Sequence, residues 1–217
     1  AAQPSDQRVH PAQVEPGEGV PAWTEQHAHG TAGKPITIQA NPGDTVIFEG
    51  QSKNFWTYVE PANGTSPITD RYLLVQNLTF QNYGGAVIGV SHANFLAVRN
   101  CRFLKSGTGG SALGAWHATH VIFTNNVIQK TGTHGIYMAE GSTFSVLSNN
   151  TILGVGDVGT GPSGGAFGIH FWGHFSPTVT QNAIVRNNRI SNVLSANITV
   201  SGGTYQNIYI YNNTLHN

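Results

Sequence analysis

The amino-acid sequence predicts an all-β solenoid, a parallel β-helix in which each rung contains three short strands. The main observation is a segment with Asn at one position and an apolar residue three positions later, which occurs six times. A repeat of about 24 residues is typical of solenoids, in which each repeat buries its apolar face only by stacking on its neighbours. The repeated Asn residues, which are 23, 25, 24, 38 and 25 residues apart, are Asn77, Asn100, Asn125, Asn149, Asn187 and Asn212.

The composition favours a secreted or cell-surface β-protein. Of the 217 residues only 9% are charged, 27 are Gly, and the formal net charge is zero. A net charge of zero argues against a nucleic-acid or membrane-surface partner, and no apolar run is long enough to span a bilayer. The single cysteine, Cys101, cannot form an internal disulfide and is predicted to be a small buried residue.

The chain is predicted to be one domain whose regular rungs occupy residues 71–217. Residues 1–35 show no period and are predicted to be irregular. The next segments, 36–40 and 45–49, alternate apolar and polar residues around a Pro-Gly turn, as half-buried strands do. Residues 51–70 are predicted to form a polar loop.

One complete rung is visible near the middle of the chain. Its first strand begins at Gly135, its second at Phe144 and its third at Thr151, with an Asn pair at the last bend. Asn tolerates a left-handed backbone, and its amide both donates and accepts hydrogen bonds, so we expect a ladder of Asn side chains that includes Asn149. Leucine-rich and ankyrin repeats are excluded because no repeat contains a helix-length period or the Leu consensus. A β-propeller would need four strands in a longer repeat.

Aligning the repeats on the Asn position predicts which side chains point inward, because residues two apart in a strand share a face. The predicted inward rows are Val75, Val98, Phe123, Leu147, Val185 and Ile210 in the second strand, Phe80, Phe103, Ile128, Ile152, Ile190 and Leu215 in the third, and Ile88, Leu113, Ile136, Ile169 and Ile198 in the first.

The outward rows of the first strand carry the candidate functional residues. At the turn that follows this strand, His92, His117 and Glu140 are expected to stack on successive rungs about 4.8 Å apart. Aromatic faces can stack on sugar rings, and His and Glu side chains can transfer protons. The two outward rows are Gly89, Gly114, Tyr137, His170 and Thr199, followed by Ser91, Trp116, Ala139, Trp172 and Ser201.

These positions lead to a set of candidate site residues, each of which is an ordinary surface residue in the alternative interpretation. The candidates for proton transfer are His117, Glu140 and His170. Asp157 lies in an insertion of roughly 14 residues that is expected to overhang the same edge, where long loops often carry function. No metal site is predicted, because the stacked His and Glu residues lack a fourth ligand. The candidates for substrate binding are Trp116, Tyr137 and Trp172 for stacking, Lys105 and Lys130 for acidic groups, and His92 and Asp157.

Several segments resemble the right-handed parallel β-helix repeats of the pectate-lyase-like superfamily. The segments are His134-Gly135-Ile136-Tyr137, Gly168-Ile169-His170 and the repeated Asn-Asn bends. Residues 30–43 resemble the entry segment of secreted bacterial members, and the whole resemblance covers roughly residues 30–217. It implies a right-handed parallel β-helix. Lyases, hydrolases, epimerases and adhesins all share this pattern, so the resemblance does not determine the function.

The chain departs from the enzymes of this superfamily in its acidic residues. Pectate lyases of this fold use clustered Asp ligands for Ca²⁺ and an Arg base, whereas Asp occurs here only as Asp6, Asp44, Asp70 and Asp157. No cofactor is therefore expected, and the acidic residues do not support Ca²⁺. Inverting hydrolases need paired carboxylates, and Glu140 and Asp157 are the only pair near the candidate face. We expect an extracellular protein that interacts with a polysaccharide, either as a binding protein or as the core of a lyase or glycoside hydrolase.

The alternative function is that of a non-catalytic structural β-helix that self-assembles. The outward rows of the second strand are apolar, although a strand that faces only water should carry polar residues there. A contiguous apolar surface of this kind predicts a homo-oligomer or filament. The rows consist of Leu74, Ala97, Ile122, Val146, Ile184 and Tyr209, and of Tyr72, Phe95, His120 and Phe144 two residues earlier.

Overall fold

The structure, a computed structural model, describes residues 30–52, 56–58, 69–107, 109–157, 165–173 and 179–217. Within these residues the chain forms twenty β-strands, arranged in three parallel sheets, and no helix. The described part of the chain accordingly contains no helix long and apolar enough to cross a membrane. The predictions for residues 1–29 and for most of the insertion after Asp157 lie outside the described residues.

Any three consecutive strands make one turn of the solenoid. The first twelve strands are β1 (Ile36–Gln39), β2 (Ile47–Glu49), β3 (Trp56–Tyr58), β4 (Thr69–Gln76), β5 (Thr79–Tyr83), β6 (Ile88–Ser91), β7 (Ala93–Arg99), β8 (Arg102–Ser106), β9 (Ser111–Trp116), β10 (Thr119–Thr124), β11 (Val127–Thr131) and β12 (His134–Ala139). The others are β13 (Val146–Ser148), β14 (Thr151–Val155), β15 (Phe167–Trp172), β16 (Val179–Arg186), β17 (Arg189–Val193), β18 (Ala196–Ser201), β19 (Thr204–Tyr211) and β20 (Thr214–His216).

Each sheet contains every third strand, and each strand pairs in parallel with the strands one turn before and after it. The first sheet, formed by the first strands of the rungs, has the order β3-β6-β9-β12-β15-β18. The second sheet has the order β1-β4-β7-β10-β13-β16-β19, and the third has the order β2-β5-β8-β11-β14-β17-β20. This arrangement confirms the prediction of a parallel β-helix with three strands per rung.

The core consists of the predicted inward rows. In the second sheet Val75, Val98, Phe123, Leu147 and Val185 are completely buried, and they lie opposite one another in the strand register. The rings of Phe48, Phe80 and Phe103 stack along the third sheet, with 5.2 Å between successive centroids. Cys101 is a free, buried cysteine as expected, and burial raises the pKa of its thiol to about 11. Ile210 and Leu215 are exposed because they lie in the last described rung.

Part of the segment that we predicted to be a polar loop is a strand. Trp56–Tyr58 forms β3, in which Trp56 pairs with Ile88 and Tyr58 with Val90 of β6. The strand is only three residues long, which is too short for a recognisable alternation of apolar and polar residues. The regular stack therefore includes β1, β2 and β3 and begins before residue 71.

The asparagine ladder exists, but it lies one residue later in each rung than we predicted. Asn149 is exposed and has a left-handed backbone, with φ at 56°, so its side chain points away from the ladder. The left-handed turn brings the following residue, Asn150, into the interior, where it is buried. The residues of the hydrogen-bonded ladder are Asn126, Asn150, Asn188 and Asn213.

Asn150 shows how the ladder joins three rungs. Its Oδ1 accepts hydrogen bonds from the backbone N and from Nδ2 of Asn126, at 3.0 and 3.1 Å. Its Nδ2 donates to the carbonyl oxygen of Phe123 at 2.9 Å and to Oδ1 of Asn188 at 3.0 Å. The ladder therefore satisfies buried polar groups at a bend that no strand hydrogen bond reaches.

Candidate functional site

The register of the first sheet places the predicted outward residues side by side. Tyr137 of β12 pairs with Gly114 of β9 and with His170 of β15. Two residues later, Ala139 pairs with Trp116 on one side and with Trp172 on the other. The outward rows predicted from the sequence are therefore present, and they form one surface across three neighbouring strands.

His134 and Phe167 also belong to this surface, although strict alternation along the strand predicts neither of them there. A Cβ on Gly135 would lie 2.7 Å from Cγ2 of Ile152, so this position faces the core. Because Gly135 and the buried Ile136 both face inward, the preceding residue, His134, lies on the outer side with Tyr137. The same Gly-Ile pair follows Phe167 in the next rung. The repeated Gly before an inward Ile is the sequence signal that could have identified both residues.

Six rings form a continuous aromatic cluster on the outside of the first sheet. In β12 the ring centroids of His134 and Tyr137 are 4.7 Å apart, and in β15 those of Phe167 and His170 are 4.4 Å apart. Trp116 packs edge-on against Tyr137 at 5.5 Å, and Trp172 lies 5.7 Å from His170. The aromatic cluster is defined by Trp116, His134, Tyr137, Phe167, His170 and Trp172.

Glycine residues let Trp116 lie close to the sheet. A Cβ on Gly114 would be 2.6 Å from Cη2 of the indole, and a Cβ on Gly89 would be 3.0 Å from Cζ3. The indole therefore lies over two neighbouring strands instead of standing away from them. At the other end of the cluster, the ring of Trp172 is 3.3 Å from the Cβ position of Gly202. The two indoles thus extend in opposite directions along the helix axis.

The two histidines of the cluster are uncharged at neutral pH. Burial and the nearby charge of His170 lower the pKa of His134 to about 3, and burial lowers the pKa of His170 to about 4. Taking an imidazolium out of water disfavours the charged form, which is the reason for both shifts. Nε2 of His170 lies 3.0 Å from Oγ of Ser201. At pH 7 His170 is therefore a neutral hydrogen-bonding group without an acidic proton to transfer.

His92, His117 and Glu140 form the predicted column at the turn after the first sheet. All three have a left-handed backbone, with φ between 46° and 53°, and the rings of His92 and His117 stack at 4.7 Å. Burial and the charge of His92 lower the pKa of His117, whereas the charge of Glu140 opposes this shift. Burial, followed by the charges of Glu140 and Tyr205, raises the pKa of Tyr137 to about 12. This column therefore borders the aromatic cluster.

The remaining candidates, Lys105, Lys130 and Asp157, lie at the ends of third-sheet strands. Both lysines are exposed and have a left-handed backbone, and Lys105 acts electrostatically on Glu49. Asp157 lines a pocket of about 240 Å³ together with Asn192 and other residues of the neighbouring rung. The chain continues from these residues into strands of the first sheet. They therefore lie at the edge of the first sheet opposite the column of His92, His117 and Glu140.

The structure does not bring Glu140 and Asp157 together as paired carboxylates. Glu140 follows β12, a strand of the first sheet. Asp157 follows β14, at the turn that leads into the next strand of the first sheet. The length of a first-sheet strand, about 17 Å, therefore separates them, whereas an inverting hydrolase needs about 6.5–9.5 Å. Among the described residues, no group of three or more His, Cys, Asp or Glu side chains could hold a metal ion.

The fold defines the class of protein, a parallel β-helix with an aromatic outer face on its first sheet. The sequence matches the family described as right handed beta helix region over residues 28–215, and the chain belongs to this family. No curated protein matches the sequence.

Proposed function

We propose that the protein is an extracellular β-helix that binds a polysaccharide along the aromatic cluster. The observation that carries this proposal is the pair of indoles, Trp116 and Trp172, which lie in one outward row with Ala139 between them. Two strand spacings separate their backbones, roughly 10 Å. Because the indoles extend in opposite directions, their rings are further apart than their backbones, which suits two separate ring subsites on a sugar chain that runs parallel to the helix axis and crosses the strands.

The chemistry of the cluster supports the same proposal. Sugar rings present C–H groups that stack on aromatic faces, and they carry hydroxyl groups that need hydrogen-bond partners. Both indoles remain partly exposed, and Trp116 lies over Gly114 and Gly89. Tyr137 lies beside Trp116, and Ser201, which is hydrogen-bonded to Nε2 of His170, pairs with Trp172, so hydroxyl groups lie next to both indoles.

Replacing Trp116 and Trp172 together with Ala is expected to abolish polysaccharide binding, because both stacking surfaces are lost. Binding is measured by the retardation of the native protein in gels that contain a soluble polysaccharide, with a panel of neutral and acidic polymers. Phe144→Ala serves as the matched control, since it removes an exposed ring from the second sheet. Equal retardation of the wild type and the double variant in every gel would place the sugar site elsewhere.

If the protein also cleaves its ligand as a lyase or hydrolase, His117 and Glu140 are the better candidates for proton transfer. His117 is partly exposed and lies in the same column as Glu140, at the border of the aromatic cluster. His170 would serve instead as a neutral hydrogen-bonding residue. New reducing or unsaturated ends, released by the wild type and not by His117→Ala, are the readout for such an activity.

Self-assembly is the second candidate function, and an exposed ring stack on the second sheet favours it. Tyr72, Phe95, His120 and Phe144 stack on successive rungs, with centroids 4.3, 4.7 and 5.1 Å apart. The rings face one another, so their edges and not their faces point outward. Edges of this kind suit an apolar protein surface better than a sugar ring.

The neighbouring outward row extends this apolar surface. We call the ring stack and this row together the apolar strip; the row consists of Leu74, Ala97, Ile122, Val146, Ile184 and Tyr209. Phe144 is 49% exposed, Ile122 41% and Tyr209 56%. A second copy of the same chain is the partner we propose, since a protein with a net charge of zero and few charged residues meets little repulsion from its own copies.

Replacing Ile122 and Val146 with Lys is expected to convert an oligomer of the wild type into monomers, because two charges would face the partner's apolar strip. Sedimentation velocity at increasing protein concentration measures the change. The matched control is Val127→Lys with Thr151→Lys, which adds the same charge to the outer face of the third sheet in neighbouring strands. A wild type that stays monomeric at high concentration would contradict self-assembly.

A further inference from the structure

We infer that the aromatic cluster selects an uncharged polysaccharide, built of neutral sugar rings, over an acidic one. This inference rests on the proposed function and specifies its substrate class. It follows from the side chains that surround the cluster, from the burial of its histidines and from the position of the nearest charges.

The outer face of the first sheet carries no Lys or Arg in its described rows. Carboxylate groups of acidic sugars are usually recognised by charge-assisted hydrogen bonds from Arg or Lys, or by a bound cation. Acidic groups able to hold such a cation are not grouped anywhere in the described part of the chain. The rows are Ser111, His134, Phe167 and Ala196, then Gly114, Tyr137, His170 and Thr199, and then Ser91, Trp116, Ala139, Trp172 and Ser201.

The histidines do not replace the missing cation. His134 and His170 are both more than nine-tenths buried, and their rings contact each other at 4.9 Å as well as Tyr137 and Phe167. An imidazolium in these surroundings would lose its hydration without gaining a counter-ion, so both rings stay neutral at the pH of most extracellular media. A neutral imidazole therefore supplies no positive charge that could pair with the carboxylate of an acidic sugar.

Glu140, which lies at the border of the cluster, has the wrong sign of charge for an acidic ligand. Burial is the main cause of the raised pKa values of Tyr137 and Tyr205, and the negative charge of Glu140 adds to both, so this charge acts at the border of the cluster. Like charges in a partly desolvated site repel more strongly than in bulk water. A carboxylate on a bound sugar would therefore meet repulsion at this border.

The lysines that could have bound acidic groups lie outside the cluster. Lys105 and Lys130 are the penultimate residues of β8 and β11 in the third sheet, at the opposite edge, and both side chains are exposed. We therefore reassign both lysines from ligand binding to the solvated edge of the third sheet.

Affinity electrophoresis with two classes of polymer tests the inference. Galactomannan and hydroxyethylcellulose are the neutral probes, and polygalacturonate and alginate are the acidic ones, all at the same mass concentration and at moderate salt. We expect neutral polymers to bind at least about tenfold more tightly, the factor that one missing charge-assisted hydrogen bond would cause. Trp116→Ala with Trp172→Ala should remove this binding, and Lys105→Ala with Lys130→Ala should leave it unchanged.

A gain-of-function variant makes the test sharper. Thr199 pairs with His170 and is partly exposed, so Thr199→Lys places a cation at the border of the cluster. This variant should gain binding to the acidic probes, and Thr199→Gln, which adds length without charge, should not.

The outcomes separate the inference from the proposed function. Tighter binding of acidic polymers that the tryptophan variant abolishes would overturn the inference and leave polysaccharide binding by the cluster intact. Loss of binding in the double lysine variant would also overturn it. If no probe of either class binds, the proposed function fails and the inference fails with it.

Discussion

Replacing Asn150 with Ala is expected to lower the free energy of unfolding by about 3 kcal/mol. The buried Asn150 side chain makes four hydrogen bonds, to two groups of Asn126, to Phe123 and to Asn188. Ala would leave the backbone N of Asn126 and the carbonyl of Phe123 without these partners inside the protein. Since buried polar groups without partners cost about 1–3 kcal/mol each, one substitution would weaken three rungs at once.

The preceding residue provides a control of the same type at the same bend. Asn149→Ala removes no ladder bond and places Ala in a left-handed conformation, which costs about 1 kcal/mol. Asn149→Gly should be nearly neutral, because Gly adopts positive φ without strain. Chemical denaturation of the three variants measures the difference. Equal losses in Asn150→Ala and Asn149→Ala would mean that the ladder does not stabilise the stack.

Gly135→Ala is expected to have the second-largest effect, a loss of about 2 kcal/mol from overpacking the core. A Cβ at this position would lie 2.6 Å from the carbonyl oxygen of Gly168 and 2.7 Å from Cγ2 of Ile152. The carbonyl belongs to the backbone of the next rung and cannot move away by a change of rotamer. Relief of the clash would shift β12 and with it the adjoining His134 and Tyr137.

Thermal unfolding and polysaccharide binding measure the two consequences of this substitution separately. Gly33→Ala is the matched control, since nothing lies within 4 Å of its Cβ position and the melting temperature should change little. Gly135→Ala should lower both the melting temperature and the affinity for the polysaccharide. An unchanged melting temperature would show that the rung spacing at Gly135 has room for a methyl group.

The repeated Asn position was sufficient to predict the register of the three sheets. In a parallel stack with one residue type at each bend, only one alignment keeps every apolar row inward. Tyr137 pairs with Gly114 and His170 as this alignment requires. The rows of the candidate surface could therefore be predicted before the structure was known.

The residue that forms the ladder could not be predicted in this way. Asn149 and Asn150 are neighbours of the same type, and the period applies equally to both. The backbone decides between them, because the left-handed φ of Asn149 turns the amide of Asn150 inward. A periodic pattern contains no information about which of two adjacent residues has positive φ.

The alternation of inward and outward side chains along a strand also did not predict that His134 lies on the outer face. The rule that neighbouring side chains point to opposite faces holds only for uninterrupted extended backbone. Gly135 interrupts it, so that Gly135 and Ile136 both face the core. The strand β3 was missed because it is too short to show alternation and because the repeated Asn is absent from its rung. The preceding β1 is followed by Ala40, where the later rungs have Asn, so the period does not reach this rung.

The short strand β13 has a mechanical consequence for the solenoid. Hydrogen bonds between rungs run along the helix axis, so tension applied at the two ends loads the interfaces between rungs in series. Under such a load the interface with the weakest pairing separates first. In the second sheet β13 has three residues, and isolated bridges of Thr143 to Thr119 and Gln181 add to its pairing, whereas its neighbours β10 and β16 have six and eight residues in continuous strands. Under tension the second sheet should therefore open first at β13. The side chain of Asn150 opposes this opening, because it is hydrogen-bonded to Asn126 of the preceding rung and to Asn188 of the following rung.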